Sequence, residues 1–140
     1  MKILLAADGS EYTKKALAFL VAHENLCGPG DELLVLNVQP PMPPRVIGIV
    51  GSDVVNEYYR EEAREVLDPI EQLLKRHELR FRTFTVVGSP VRELLAAASR
   101  EKAELIVMGT HGRGLVGRAL MGSVAQRVVA NGEVPVLLVK

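Results

Sequence analysis

Short, almost wholly apolar runs alternate along this chain with longer segments whose apolar residues recur at helical spacing. That alternation predicts repeated βαβ units around a mainly parallel sheet. The first run, Ile3 to Ala7, ends at Asp8-Gly9-Ser10, after which Ala16, Leu17, Leu20 and Val21 mark a helix that stops near Cys27-Gly28-Pro29-Gly30. A second strand, Leu33 to Val38, is apolar throughout apart from Asn37. Continuous apolar strands are buried on both faces, so helices are expected on each side of the sheet. From Gln39 to Gly51 four prolines and two glycines predict the longest irregular stretch, a loop open to movement. A helical stripe then runs from near Ser52 through Tyr59, Ala63, Val66, Leu67, Ile70 and Leu74 to Arg76, with Pro69 expected to kink or break it. Phe81 to Val87 reads as strand. Ser89-Pro90 reads as an N-cap with proline at the first helical position, and Val91, Leu94, Leu95 and Ala98 continue at helical spacing. Glu104 to Met108 reads as a fourth strand, Ser123 to Ala130 as a helix and Val136 to Val139 as a fifth strand.

Length and charge narrow the function more than the fold. A chain of 140 residues with 48% hydrophobic content is the size of one domain, here residues 1–140, with a real core. Seventeen basic residues balance 17 acidic ones, so charge points neither to nucleic acid nor to a membrane surface. No apolar run approaches the ~18 residues of a membrane span. The single cysteine, Cys27, cannot form an internal disulfide, and the expected setting is a reducing cytoplasm. Any anion must then be bound by local geometry.

Such geometry is suggested after the fourth strand. Five of the 12 glycines, at 109, 112, 114, 117 and 122, fall between Gly109 and Ser123. Without Cβ atoms, successive backbone N–H groups can converge on an anion, and the helix opening at Ser123 would aim its positive end at the same place. Three motifs compete for these residues. Gly112-Arg113-Gly114-Leu115-Val116-Gly117 matches the dinucleotide fingerprint, but the acidic residue expected about 20 positions later is absent near Leu137. A P-loop reading fails because Arg118 and Ala119 stand where lysine and a hydroxyl residue are needed. The third pattern is Gly109-x-x-Gly112, nine residues, then Gly122-Ser123.

In that interval the chain resembles the ATP-binding branch of the universal stress protein family. The resemblance extends to a first strand ending in Asp8, the variable 39–51 segment and a terminal Val-Pro-Val strand. It implies an open five-stranded parallel sheet of order 3-2-1-4-5 with helices on both faces, a Rossmann-like arrangement. In that order strands 1 and 4 flank the switch point, where open sheets bind ligands. By the same resemblance Asp8 holds the nucleotide near ribose and adenine, Ala6 and Ala7 form the adjoining wall, and Val38 meets adenine through its backbone. Met108 and Gly109 line the sugar side, and Gly112 approaches the phosphates. Gly122, Ser123 and Val124 present the helix terminus to the β- and γ-phosphates, with Arg113 and Arg118 as candidate phosphate partners. Mg²⁺ would be held through the phosphates. The family also implies a homodimer through the last strand, whose edge would otherwise expose unpaired backbone groups.

Plainer readings stand beside these. Ser123 could be a helix cap, Asp8 could shape a turn, and Tyr58 and Tyr59 read as packing residues. His111 with Ser10 or Ser123 and Asp8 lacks the nucleophile elbow of a hydrolase. A receiver domain would need a carboxylate where the third strand ends in Val86-Val87-Gly88. The expected function is therefore an ATP-binding regulatory protein with at most slow hydrolysis, since no base or charge clamp for phosphoryl transfer is identified. The alternative is a homodimeric interaction module without nucleotide.

Overall fold

The computed structural model describes residues 1–112 and 121–140. Its elements are β1 (Lys2–Ala6), α1 (Glu11–Ala22), β2 (Glu32–Gln39), α2 (Pro44–Val50), α3 (Ser52–Arg76), β3 (Phe81–Val87), α4 (Pro90–Glu101), β4 (Leu105–Gly109), α5 (Ser123–Asn131) and β5 (Val136–Val139). The five strands form one sheet in the order β3-β2-β1-β4-β5, and every neighbouring pair is parallel. This is the implied Rossmann-like order, and strand boundaries fall within a residue or two of those read from the apolar runs.

Alternation along the central strands sorts the core into two layers. Ile3 and Leu5 of β1, Leu33 and Val35 of β2 and Val107 of β4 pack beneath α1 and α3. Leu4, Leu34, Leu36, Ile106 and Met108 face the other way, beneath α4 and α5. Register places Leu4 between Leu34 and Ile106, and all three are at most 1% exposed. Burial on both sides explains why residues 3–5 and 33–36 read as continuous apolar runs rather than alternating ones.

Two expectations are corrected. The 39–51 segment is not wholly irregular, because α2 occupies Pro44–Val50. Its entry has Pro44 at the first helical position, where a missing N–H costs nothing. Its exit is Gly51, whose φ of 90° a side chain would strain, and which turns the chain directly into α3. Pro69 does not break the second long helix, which continues from Ser52 to Arg76. Pro69 and Glu65, the carbonyl partner it cannot serve, both lie on the exposed face. Water can satisfy that carbonyl while Val66, Leu67, Ile70 and Leu74 anchor the opposite face in the core.

At the end of the sheet opposite the glycine segment, Arg82 of β3 donates to Glu32 of β2 at 3.1 Å and to Glu101 of α4 at 3.0 Å. The hydrogen bond from Arg82 holds the Glu32 carboxyl below its ordinary range, with only partial opposition from desolvation. A lowered carboxylate pKa contributes stability that is present above the unfolded-state value and lost as pH falls through the folded one. Replacing Arg82 with Gln should therefore flatten the acid limb of a urea-stability profile while leaving its slope near neutrality unchanged. An unaltered acid limb would exclude this pair as a source of pH dependence.

Candidate functional site

The chain leaving β1 enters α1 on one face of the sheet, while the chain leaving β4 leads to α5 on the other. A cavity of about 640 Å³ opens where they part. Its size suits a small organic ligand, for which pockets of about 300–1,000 Å³ are usual. Ala6, Ala7, Asp8, Val38, Met108, Gly109, Gly112, Gly122, Ser123 and Val124 all line it. Residues singled out from four separate stretches of sequence thus meet at one place. Arg113 and Arg118 lie outside the described residues.

Asp8 is built into the turn that follows β1. Its Oδ1 accepts from the Ser10 amide at 2.9 Å and from the Thr13 hydroxyl at 2.8 Å. The Thr13 hydroxyl oxygen in turn accepts from the Asp8 amide at 3.1 Å. Gly9, with φ of 80°, lets the chain turn between them, and Ser10 caps α1 by accepting from the Thr13 amide at 3.3 Å. The turn-shaping role of Asp8 is therefore real, and one oxygen carries it. The other, Oδ2, points across to the glycine segment, where a Cβ on Gly112 would sit 2.7 Å from it.

Gly112 therefore answers to Asp8, and Gly109 answers to α1: a Cβ there would run into Tyr12. A side chain at either position would press on neighbouring protein groups, quite apart from any ligand. Beyond them, the Thr110 carbonyl accepts from the Gly122 amide, and the Thr110 amide donates to the Val139 carbonyl at 2.9 Å. The two ends of the glycine segment are thus clasped together and to β5.

Gly122 is the N-cap of α5 and Ser123 its first helical residue, so Ser123 does not occupy the cap position. A glycine cap brings no side-chain acceptor to the first-turn amides, which have no partners within the helix. Ser123, Val124 and Ala125 line the cavity at this terminus, where the helix dipole favours negative charge.

Several cavity residues were not read from sequence. Asn37 is 3% exposed and donates from Nδ2 to the Ala7 carbonyl at 2.9 Å, tying the ends of β1 and β2 together just past their last paired residues. Thr13, Gln39, the Pro40–Pro43 run, Tyr58 and Glu62 also contribute. The one available clue was polarity inside apolar runs, as at Asn37 and Gln39. His111 leans on Tyr12, with ring centroids 4.8 Å apart, and its Nδ1 lies 3.0 Å from the Thr110 hydroxyl. Among the described residues no cluster of three metal-ligating side chains occurs, and no helix is long and apolar enough to cross a membrane. Cys27 is buried, and desolvation raises its thiol pKa, which disfavours the nucleophilic thiolate.

The model of the universal stress protein family matches residues 1–140. The chain belongs to the universal stress protein family. A universal stress protein of Thermus aquaticus is 39% identical over 99% of this chain and 97% of its own length. The solved structure of the protein MJ0577 of Methanocaldococcus jannaschii superposes with a TM-score of 0.84 at 29% identity, covering 99% of this chain and 94% of that one. The universal stress protein of Archaeoglobus fulgidus, solved in complex with dAMP, shares the fold with a TM-score of 0.71 at 22% identity, covering 100% and 98%. The family match thus spans the whole chain.

The Asp8–Thr13 pair gives a direct check on how this opening is held. Thr13 is 3% exposed, and replacing it with Val leaves the Asp8 amide without its acceptor. Thr13→Val should cost about 1–3 kcal/mol in urea unfolding, whereas Thr13→Ser should recover most of that loss.

Proposed function

We propose that this protein is an ATP-binding regulatory protein of the nucleotide-binding branch of its family, working in the cytoplasm. The observation that carries the reading is the convergence of Asp8, Gly112 and the glycine-capped terminus of α5 on one cavity at the β1–β4 switch point. Phosphates would lie against the α5 terminus and the glycine segment, with Arg113 as a candidate partner. Ribose would lie near Asp8 and between Met108 and Gly109, and adenine against Ala6, Ala7 and the backbone of Val38. Mg²⁺ would be carried by the phosphates. The dAMP bound by the Archaeoglobus relative belongs to the same ligand class. Hydrolysis would be slow, because efficient phosphoryl transfer requires a positioned base and a charge clamp. Occupancy would shift the rim of the cavity and with it the surface offered to a partner.

Homodimerisation through β5 accompanies this reading. The strand is the last in the sheet order, all four of its residues are half-buried, and Val129 on the neighbouring helix is 49% exposed. Pairing with a second copy would cover that edge.

Titration calorimetry with ATP tests the core of the proposal: binding should be measurable, and no heat at millimolar nucleotide would rule it out. Gly122→Val should weaken ATP binding at least about tenfold, the cost of crowding a phosphate against a new side chain, a loss of ~1.4 kcal/mol. Sedimentation should show the same dimer for both proteins. Loss of ATP binding without loss of partner binding would favour an interaction module instead.

A further inference from the structure

One wall of the cavity is made by Pro40-Pro41-Met42-Pro43, between the end of β2 and the start of α2. With Pro44 following, five consecutive residues contain one backbone N–H group, that of Met42. At its far end the Pro43 carbonyl accepts from the Val46 and Ile47 amides of α2 at 2.9 and 3.2 Å, but within the run only Met42 can donate. Pro43, at φ −57° and ψ 138°, has the extended polyproline geometry that lacks internal hydrogen bonds.

The single donor is nevertheless taken. The Met42 amide donates to the Tyr59 hydroxyl at 2.6 Å. Three residues earlier, Gln39 is 7% exposed and donates from Nε2 to the Tyr59 carbonyl at 2.8 Å. Its own carbonyl accepts from the Gly88 amide at 2.8 Å, which fixes the start of the run to the end of β3. One residue of α3 therefore receives the rim at two points, through its backbone at Gln39 and through its side chain at Met42. Tyr58, beside it, lines the cavity directly.

We infer that Tyr59 is a positioning residue for the nucleoside end of the cavity. Its hydroxyl holds the Pro40–Pro43 rim in the conformation that closes around the base, so that little order has to be gained on binding. This rests on the nucleotide-binding reading given above. The assignment to the nucleoside end follows from the sheet order. The rim continues β2, whereas the glycine segment continues β4, and β1 lies between them. A loosened rim would lower the fraction of molecules ready to bind, and apparent affinity falls by that fraction.

The test is Tyr59→Phe, which removes the acceptor and keeps the ring. In the ligand-free protein, hydrogen exchange at the Met42 amide should accelerate while the urea midpoint stays nearly unchanged. ATP and adenosine affinities should fall together, by roughly threefold to tenfold, the usual range for one hydrogen bond. Gly122→Val, acting at the other end, should weaken ATP alone. Unchanged Met42 exchange would overturn the positioning role, as would a Tyr59→Phe effect on ATP that spares adenosine. Absence of ATP binding in the unaltered protein would overturn the functional reading instead, and the exchange measurement would still decide whether Tyr59 holds the rim.

Discussion

β1 is hydrogen-bonded along both edges and covered on both faces, and this double enclosure governs what the rest of the molecule can do. The buried middle of a strand so placed must be apolar, as Ile3, Leu4 and Leu5 are, and the chain must leave the sheet abruptly at its end. It leaves toward α1, while its neighbour β4 leaves toward the opposite side. A gap between the two is then unavoidable, and every polar group near it must find a partner or face water. The side chains of Asp8, Thr13 and Asn37 fulfil that requirement within a few residues of the gap. The cavity is thus a product of topology, and its lining is what the topology obliges the sequence to supply.

Much of this was legible from sequence because the relevant signals are local. Val136 to Val139 and Phe81 to Val87 were read as strands with the boundaries they have, since apolar or alternating runs bounded by Gly, Pro and polar residues leave little choice. The sheet order was not legible from periodicity, which carries no information about which strands are neighbours. It came from family resemblance, and the residue pairing bears it out.

Three features depart from the sequence reading, each for its own physical reason. Of the kink or break expected at Pro69, the break does not occur, because four buried residues on the other face outweigh one missing hydrogen bond. The 39–51 segment was expected to be irregular because its prolines and glycines were counted together. Their order mattered more: proline at the entry and glycine at the exit are the terminal signals of a short helix. Thr13 escaped notice because a threonine in the first turn of a helix is unremarkable until a carboxylate five residues earlier folds back on it. Side-chain partnerships across a turn depend on conformation, and residue spacing alone does not declare them.

The clasp at Thr110 has a further implication. One peptide group on each side of this residue joins the outermost strand to the first turn of α5, and both bonds run from main chain to main chain. No side-chain replacement that keeps these amides can cut that connection. Strand edge and helix end are therefore joined by bonds that no side chain supplies.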